Sequence, residues 1–137
     1  MNTSHGGCLC GDVRFTVEWP SQWVAHCHCT ICRRAHGAGY VTWFGMVEDR
    51  ARIHDDAGSL RWYASSSGAE RGFCVHCGSS LFFRCGRWPG ELHIALANLD
   101  GPADRAPQAH VFWDTHADWA AGDPGDGLPR RPASESD

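Results

Sequence analysis

Cysteines are the residues of this chain best suited to chemistry, because seven of its eight fall into three tight clusters. Two clusters are pairs, one C-x-C and one C-x-x-C, and each pair is followed by glycine. The third places three cysteines within six consecutive positions. In a reducing compartment, clusters of this kind bind metal or do redox work more often than they form disulfides. The clusters are Cys8 with Cys10, Cys27 with Cys29 and Cys32, and Cys74 with Cys77.

The two pairs together predict a closed zinc site with four sulfur ligands. In an extended segment, residues two apart point the same way, so both thiolates of Cys8 and Cys10 can reach one ion. In a C-x-x-C-G turn, a glycine with positive φ lets the chain swing away while the sulfurs of Cys74 and Cys77 converge. We therefore predict a structural zinc held by these four residues, with a redox pair as the alternative.

The third cluster supplies three sulfurs that can converge on one point. Cys27 and Cys29 share a face of an extended segment, and Cys32 follows at the start of a helical turn. Three protein ligands with an open fourth position are typical of catalytic zinc. Two other interpretations stay open: a different grouping of the seven cysteines, or a closed site completed by a histidine. The candidate histidines are His26, His28 and His36.

Composition limits the class of protein. The chain has 137 residues, enough for one domain, and a formal net charge of −4 without a basic patch, so we expect no nucleic-acid partner. All twelve basic residues are arginines, which excludes a lysine Schiff base. No apolar run approaches the ~18 residues of a membrane helix, and no signal peptide opens the sequence. We expect a cytoplasmic protein, without a membrane partner, as a monomer or homodimer.

The remaining pattern predicts a mostly β fold with one or two short helices. Residues 12–19 alternate, with Val13, Phe15 and Val17 on one face, as in a half-buried strand. Residues 29–37 predict a helix with Thr30 as N-cap and Gly37 as stop, and a second short helix is possible around 115–121. Further strands are predicted at 39–47, 52–55, 60–65, 80–85, 91–99 and 109–114.

Three sequence segments carry a resemblance to a known family. HGGCLCGDVRF, HCHCTICRRAHG and FCVHCGSSLFF, in this order, resemble the glutathione-dependent formaldehyde-activating enzyme family, which is related to the domain of centromere protein V. The stretches HIALANLD, QAHVFWDTHADW and DGLPR are similar to its closing segments. The resemblance covers residues 5–131 and implies a zinc-organised fold of the Mss4-like or β-tent type. Residues 132–137 are expected to form a flexible C-terminal tail.

The resemblance also implies ligands and an activity. It implies one structural zinc on the two cysteine pairs and one catalytic zinc on Cys27, Cys29 and Cys32, whose fourth position takes the substrate. The implied reaction joins glutathione to formaldehyde, giving S-hydroxymethylglutathione; in reverse it is a carbon–sulfur lyase reaction. A thiolate-rich zinc is suited to holding a thiol sulfur. The expected partner is therefore a small-molecule thiol or thiol adduct.

Such a reaction needs a base and, for glutathione, partners for two carboxylates. The base would take the hydroxyl proton of the adduct. Arginines beside the clusters could pair with the carboxylates, or they could offset thiolate charge. The candidate bases are His28, His36 and Glu70, and the candidate substrate-binding residues are Arg33, Arg34 and Arg71.

Two other functions remain open. A zinc-stabilised binding module without catalysis predicts that the second metal is absent or fully coordinated. A redox enzyme similar to B-type methionine sulfoxide reductases would use Cys85, which follows an arginine at the end of a predicted strand. A buried, inert role is the simpler interpretation of Cys85. The number of metal ions and the coordination of each would separate these functions.

Overall fold

The computed structural model describes residues 2–120 and 125–133, and this part of the chain is mostly β. It contains ten strands and one short α-helix, α1, which confirms the predicted fold class. The strands are β1 (Thr3–Gly7), β2 (Arg14–Glu18), β3 (Trp23–Cys27), β4 (Val41–Val47), β5 (Ala51–His54), β6 (Leu60–Ser66), β7 (Ala69–Cys74), β8 (Ser80–Cys85), β9 (Glu91–Ala95) and β10 (His110–Val111). Helix α1 is Thr30–His36, and 3-10 turns lie at Glu48–Arg50, Leu96–Asn98, Trp113–Thr115 and Asp118–Ala120.

The strands form two sheets. The smaller has the order β1-β2-β5 and the larger the order β10-β3-β4-β9-β8-β7-β6. Neighbouring strands are antiparallel except β10, which runs parallel to β3 and pairs Val111 with Cys27. The short β10 thus lies beside the end of β3, where the three-cysteine segment begins.

The main core lies between the two sheets. The alternating residues of the 12–19 segment, Val13, Phe15 and Val17, are fully or almost fully buried there. Phe15 packs edge-on against Phe82 of β8, with ring centroids 5.8 Å apart. The alternation predicted from the sequence therefore reflects one buried face and one solvent face of β2.

The larger sheet also buries part of its other face. On β4, Phe44 and Met46 belong to the main core, whereas Val41 and Trp43 belong to a second cluster that includes Cys27 and the helical Cys32. Burial on both faces explains why residues 39–47 form a nearly continuous apolar run. The three-cysteine segment is therefore packed into the second core.

Some predicted boundaries were wrong for local reasons. The strand predicted at 91–99 ends at Ala95 and continues as a 3-10 turn. The strand predicted at 109–114 is only two residues long, because Phe112 takes a left-handed φ of 55°. The helix predicted around 115–121 is replaced, as far as Ala120, by a 3-10 turn at Asp118–Ala120. Strands β1, β3 and β7 were not predicted, since each is short and carries glycine, histidine or charged residues.

The helix begins one residue earlier than predicted. Cys29, not Thr30, is the N-cap, and its Sγ accepts a hydrogen bond from the backbone N–H of Cys32 at 3.2 Å. The predicted stop is confirmed, because Gly37 is the left-handed C-cap with φ 60°. A prospective metal ligand is thus also the residue that starts α1.

Residues 125–133 lie against β10. The N–H of His110 donates to the carbonyl of Pro129 at 2.9 Å, and that of Arg131 donates to the carbonyl of His110 at 2.8 Å. Residues 134–137, most of the tail predicted as flexible, lie outside the described residues. Within 2–120 and 125–133, no helix is long and apolar enough to cross a membrane.

Candidate metal centre

The two cysteine pairs come together at the junction of the two sheets. Cys8 and Cys10 follow β1, Cys74 ends β7, and Cys77 lies in the next turn. All four Sγ atoms lie within 4.8 Å of one another, and Cys10 Sγ is 3.7 Å from the Sγ of both Cys8 and Cys74. A tetrahedral zinc with Zn–S bonds of about 2.3 Å separates its sulfurs by about 3.8 Å. The two distances of 3.7 Å match this value, and all four sulfurs lie close enough to converge on one zinc.

Hydrogen-bond donors surround the sulfurs of the four-cysteine cluster. The backbone N–H of Val13 donates to Cys8 Sγ at 3.3 Å, and that of Cys77 lies 3.5 Å from Cys74 Sγ. The Ser79 hydroxyl lies 3.3 Å from Cys77 Sγ and lowers the pKa of that thiol to about 5. Gly78 takes the positive φ predicted for the C-x-x-C-G turn, at 79°. Amide and hydroxyl donors of this kind stabilise sulfur ligands of a metal.

The three-cysteine cluster is built by the end of β3 and the start of α1. Cys27 is the last residue of the strand, Cys29 caps the helix and Cys32 lies in its first turn. The Sγ atoms of Cys27 and Cys32 are 3.5 Å apart, and all three lie within 4.8 Å of one another. Cys27 and Cys32 are buried, whereas Cys29 is half-buried. The cluster is therefore more accessible at Cys29 than at its other two sulfurs.

The candidate histidines do not complete this cluster. His26 Nδ1 lies 2.8 Å from the hydroxyl of Thr42, and His28 Nε2 lies 2.8 Å from His110 Nδ1. The ring of His36 packs edge-on against Trp43. Across residues 2–120 and 125–133, no histidine nitrogen or carboxylate oxygen lies within 4.8 Å of all three sulfurs.

Arg71 is the arginine that reaches the three-cysteine cluster. Both of its terminal nitrogens lie 3.5 Å from Cys32 Sγ, and its guanidinium lies 4.9 Å from the ring centroid of Phe83. Hydrogen bonds from the thiols of Cys27 and Cys32, together with the charge of Arg71, lower the pKa of the Cys29 thiol. A cation at this point offsets the negative charge that three thiolates leave around one divalent ion.

The other candidate arginines lie along α1. Arg33 donates from Nη1 to the carbonyl of Thr115 at 3.0 Å, and Arg34 is exposed. Both line a cavity of about 380 Å³ that also contains Thr30 and the exposed ring of Trp119. One of its lining residues, Thr30, directly follows the capping Cys29 in the chain.

Glu70 lies on the other side of its strand. It pairs with Arg84 Nε at 3.0 Å and lines a separate cavity of about 270 Å³ with Cys85. Successive residues of a strand face opposite ways, and its neighbour Arg71 faces the cysteines. The structure thus brings neither Glu70 nor Cys85 to a cysteine cluster.

Sequence reasoning missed the polar residues that hold the segment 27–29. His28 is fully buried and contacts His110, whose Nε2 lies 2.8 Å from Asp126 Oδ2. The hydroxyl of Thr115 donates to the carbonyl of His28 at 3.1 Å. These partners lie 82 or more positions along the chain from His28, and no spacing in the sequence links them to it.

Comparisons with known proteins identify relatives of this chain. The family model described as glutathione-dependent formaldehyde-activating enzyme matches residues 3–115. A Halomonas elongata protein, provisionally named a glutathione-dependent formaldehyde-activating enzyme, is 32% identical over 121 residues, which is 83% of this chain and 77% of that protein. An uncharacterised lyase of Schizosaccharomyces pombe is 31% identical over 83 residues, 61% of this chain and 58% of its own length. The crystal structure of a Rhodobacter sphaeroides protein has the same fold, with a TM-score of 0.63 at 22% identity, covering 92% of this chain and 98% of that one.

Proposed function

The chain belongs to the glutathione-dependent formaldehyde-activating enzyme family, and on that premise we propose that it is a zinc-dependent carbon–sulfur lyase. Its substrate would be the adduct of a glutathione-like thiol with an aldehyde, such as S-hydroxymethylglutathione. The observation that carries the proposal is the three-cysteine cluster with no fourth protein ligand in the described part of the chain. A three-ligand site leaves one coordination position for a substrate.

We assign a different role to each cluster. Cys8, Cys10, Cys74 and Cys77 would hold a structural zinc, because their four sulfurs already satisfy its tetrahedral coordination. The three-cysteine cluster would hold the catalytic zinc. Bound there, zinc would hold the sulfur of the substrate as a thiolate, which stabilises that sulfur when its bond to carbon breaks.

The proton of the adduct needs an acceptor. In the lyase direction the carbon–sulfur bond breaks, the aldehyde carbonyl forms and the hydroxyl proton leaves. His36 is the best placed of the three candidate bases, because His28 is fully buried against His110 and Glu70 faces away. Burial, and then the charge of Arg71, lowers the pKa of His36 to about 4, so its imidazole is neutral at pH 7 but is a weaker base than an ordinary histidine.

The arginines of the site divide between two tasks in this proposal. Arg34 would pair with a carboxylate of the thiol, because it is exposed at the 380 Å³ cavity, whose lining includes Thr30, the residue after Cys29. Arg33 would support the same anion while its Nη1 holds the carbonyl of Thr115. Arg71 would contact the reacting end of the substrate, since its guanidinium already lies against Cys32.

Thiol binding tests the catalytic site directly. A free thiol loses its proton when it becomes a metal ligand. Titrating the zinc-loaded protein with glutathione should therefore release close to one proton per bound thiol near neutral pH. X-ray absorption should show a fourth sulfur at about one zinc per chain. An alcohol of the same shape should bind far more weakly.

Different failures of this titration have different meanings. If no thiol changes the coordination of either zinc, the lyase proposal loses its chemical basis. A second zinc that is already fully coordinated would instead support the zinc-stabilised binding module. Small thiols that bind while glutathione does not would contradict glutathione as the substrate.

The roles of the arginines are separated by substitution. Arg34→Gln should lower the affinity for glutathione by roughly 10- to 100-fold more than the affinity for a thiol without carboxylates. The reason is that a charge-assisted hydrogen bond contributes about 1.5–3 kcal/mol. Arg71→Gln should lower the affinity for both thiols alike, since the guanidinium of Arg71 acts at the sulfur cluster. Arg52→Gln, an exposed change on β5 of the smaller sheet, is the matched control. If Arg34→Gln lowered the affinity for both thiols equally, Arg34 would be excluded as the carboxylate partner.

A further inference from the structure

We propose that Asp126 is a positioning residue for the three-cysteine cluster, acting through His110 and His28. Asp126 Oδ2 lies 2.8 Å from His110 Nε2, and His110 Nδ1 lies 2.8 Å from His28 Nε2. Cys27 and Cys29 are the immediate neighbours of His28 in the chain. The hydrogen-bonded chain therefore ends on the one residue that separates the first two sulfurs of the cluster.

The chain of hydrogen bonds fixes the tautomer of each ring. The carboxylate of Asp126 can only accept, so His110 Nε2 must carry a proton. In a neutral ring His110 Nδ1 is then an acceptor, and His28 Nε2 must donate to it. His28 Nδ1 is left unprotonated, buried and without a hydrogen-bond partner in the described residues. One carboxylate thus sets the orientation and the proton positions of two buried rings.

Asp126 is itself held in place. Its other oxygen, Oδ1, accepts from the backbone N–H of Leu128 and from Arg130 Nη1, both at 2.9 Å. The guanidinium of Arg130 lies 5.0 Å from the ring of Trp113, which packs edge-on against His28. The carboxylate therefore has a fixed position from which it can orient His110.

The backbone of His28 is held from the same side. Its N–H donates to the carbonyl of Val111 at 3.0 Å, and its carbonyl accepts from the hydroxyl of Thr115 at 3.1 Å. Val111 is the last residue of β10 and Thr115 lies in the 3-10 turn that follows it. Strand β10 is only two residues long and ends before the left-handed Phe112. A strand this short provides little rigidity, so the side-chain path from Asp126 adds the constraint that the sheet does not.

This constraint matters because metal affinity depends on how well the ligands are held. Removing a group that is hydrogen-bonded to a metal ligand typically costs 10- to 100-fold in affinity. Asp126 acts further out, through His110 and His28, so we expect an effect no larger than the low end of that range. Asp126 lies beyond residues 3–115, the region matched by the family model. The inference rests on the proposed function only in assuming that the three-cysteine cluster binds zinc.

Zinc transfer from the intact protein to a chromophoric chelator tests the inference. The parent chain should release zinc in two phases, the faster from three cysteines and the slower from four. Asp126→Ala should speed the faster phase by up to about 10-fold, the low end of the range for direct partners of a metal ligand, and leave the slower one unchanged. Asp100→Ala is the matched control, because Asp100 also pairs with an arginine, Arg14, which lies on β2 of the smaller sheet and has no part in this path. It should change neither phase.

Nitrogen-15 spectra of the histidine side chains provide a second readout that does not depend on bound metal. In the parent chain His110 and His28 should both carry the proton on Nε2. In Asp126→Ala this preference should be lost at His110, and Asp126→Glu should restore it in part.

Each outcome decides between the inference and its alternatives. An Asp126→Ala chain with unchanged tautomers and an unchanged faster phase would overturn the proposal. Equal acceleration of both phases would show general destabilisation instead. If Asp126→Ala does not fold, Asp126→Leu replaces it with the same expected shifts, because leucine fills a similar volume and offers His110 no acceptor. If the parent chain holds no second zinc, the assignment of a catalytic zinc is wrong. The nitrogen spectra would still show whether Asp126 sets the tautomers of His110 and His28.

Discussion

Cys77→Ser is expected to leave the chain unable to fold. The four-cysteine cluster joins the loop after β1 to the turn after β7 and lies at the edge of the main core, where Cys8 and Cys74 are buried. Structural zinc sites contribute about 10–16 kcal/mol, whereas whole domains are stable by only about 5–15 kcal/mol. Losing one ligand should therefore remove most of the net stability. Solubility, circular dichroism and zinc content of the purified variant are the measurements.

The eighth cysteine provides the control for this substitution. Cys85 lies at the end of β8 and outside both clusters, so Cys85→Ser should fold and bind zinc as the parent chain does. A soluble Cys77→Ser protein with native circular dichroism and unchanged zinc would contradict the structural role of the four-cysteine cluster. Failure of both variants to fold would show a general sensitivity of the chain to cysteine loss.

Cys29→Ser should have the opposite combination of effects: a folded protein without lyase activity. Serine is a favoured N-cap, so its hydroxyl can accept from the N–H of Cys32 and still start α1. With two sulfurs left, the cluster should lose about one zinc per chain. Activity should fall by more than about 10³-fold, since removal of even one oxyanion-hole donor lowers kcat by about 10²–10³-fold.

Metal analysis, thermal unfolding and adduct cleavage together test this prediction. If Cys29→Ser unfolds as Cys77→Ser is expected to, the three-cysteine cluster is structural and the lyase proposal fails. If it folds, loses one zinc and keeps full activity, catalysis lies elsewhere in the molecule. Cys85→Ser, which removes a sulfur outside both clusters, is again the matched control.

Local patterns in the sequence predicted those parts of the fold that depend on local physics. The alternation of Val13, Phe15 and Val17 required only one buried face, and Gly37 required only a left-handed C-cap. The cysteine clusters were recognisable because metal ligands must lie close together and the chain brings them close over two or three residues. These features needed no knowledge of the tertiary structure.

Features that depend on distant partners were not predictable from one sequence. Strand β3 carries His26 and Cys27, and its extended form depends on pairing with β4 and β10. The pairing of Arg71 with Cys32 joins positions 39 apart, and that of His28 with His110 joins positions 82 apart. Such contacts follow from sheet order, which periodicity does not reveal. For the same reason, sequence spacing alone left Glu70 equal to His36 as a candidate base.

The two clusters differ in how far apart their ligands lie in the chain, and this difference has a consequence for the denatured state. Cys27, Cys29 and Cys32 stay close in any conformation, so the unfolded polypeptide can already bind zinc through them. Ligand that binds the unfolded chain stabilises the native state less. Cys10 and Cys74 are 64 positions apart, and closing that loop without the fold carries an entropic cost. If both clusters bind zinc equally tightly in the native protein, zinc at the four-cysteine cluster should therefore raise the unfolding temperature more than zinc at the three-cysteine cluster. During synthesis, the segment 27–32 would leave the ribosome able to capture zinc before Cys74 and Cys77 exist.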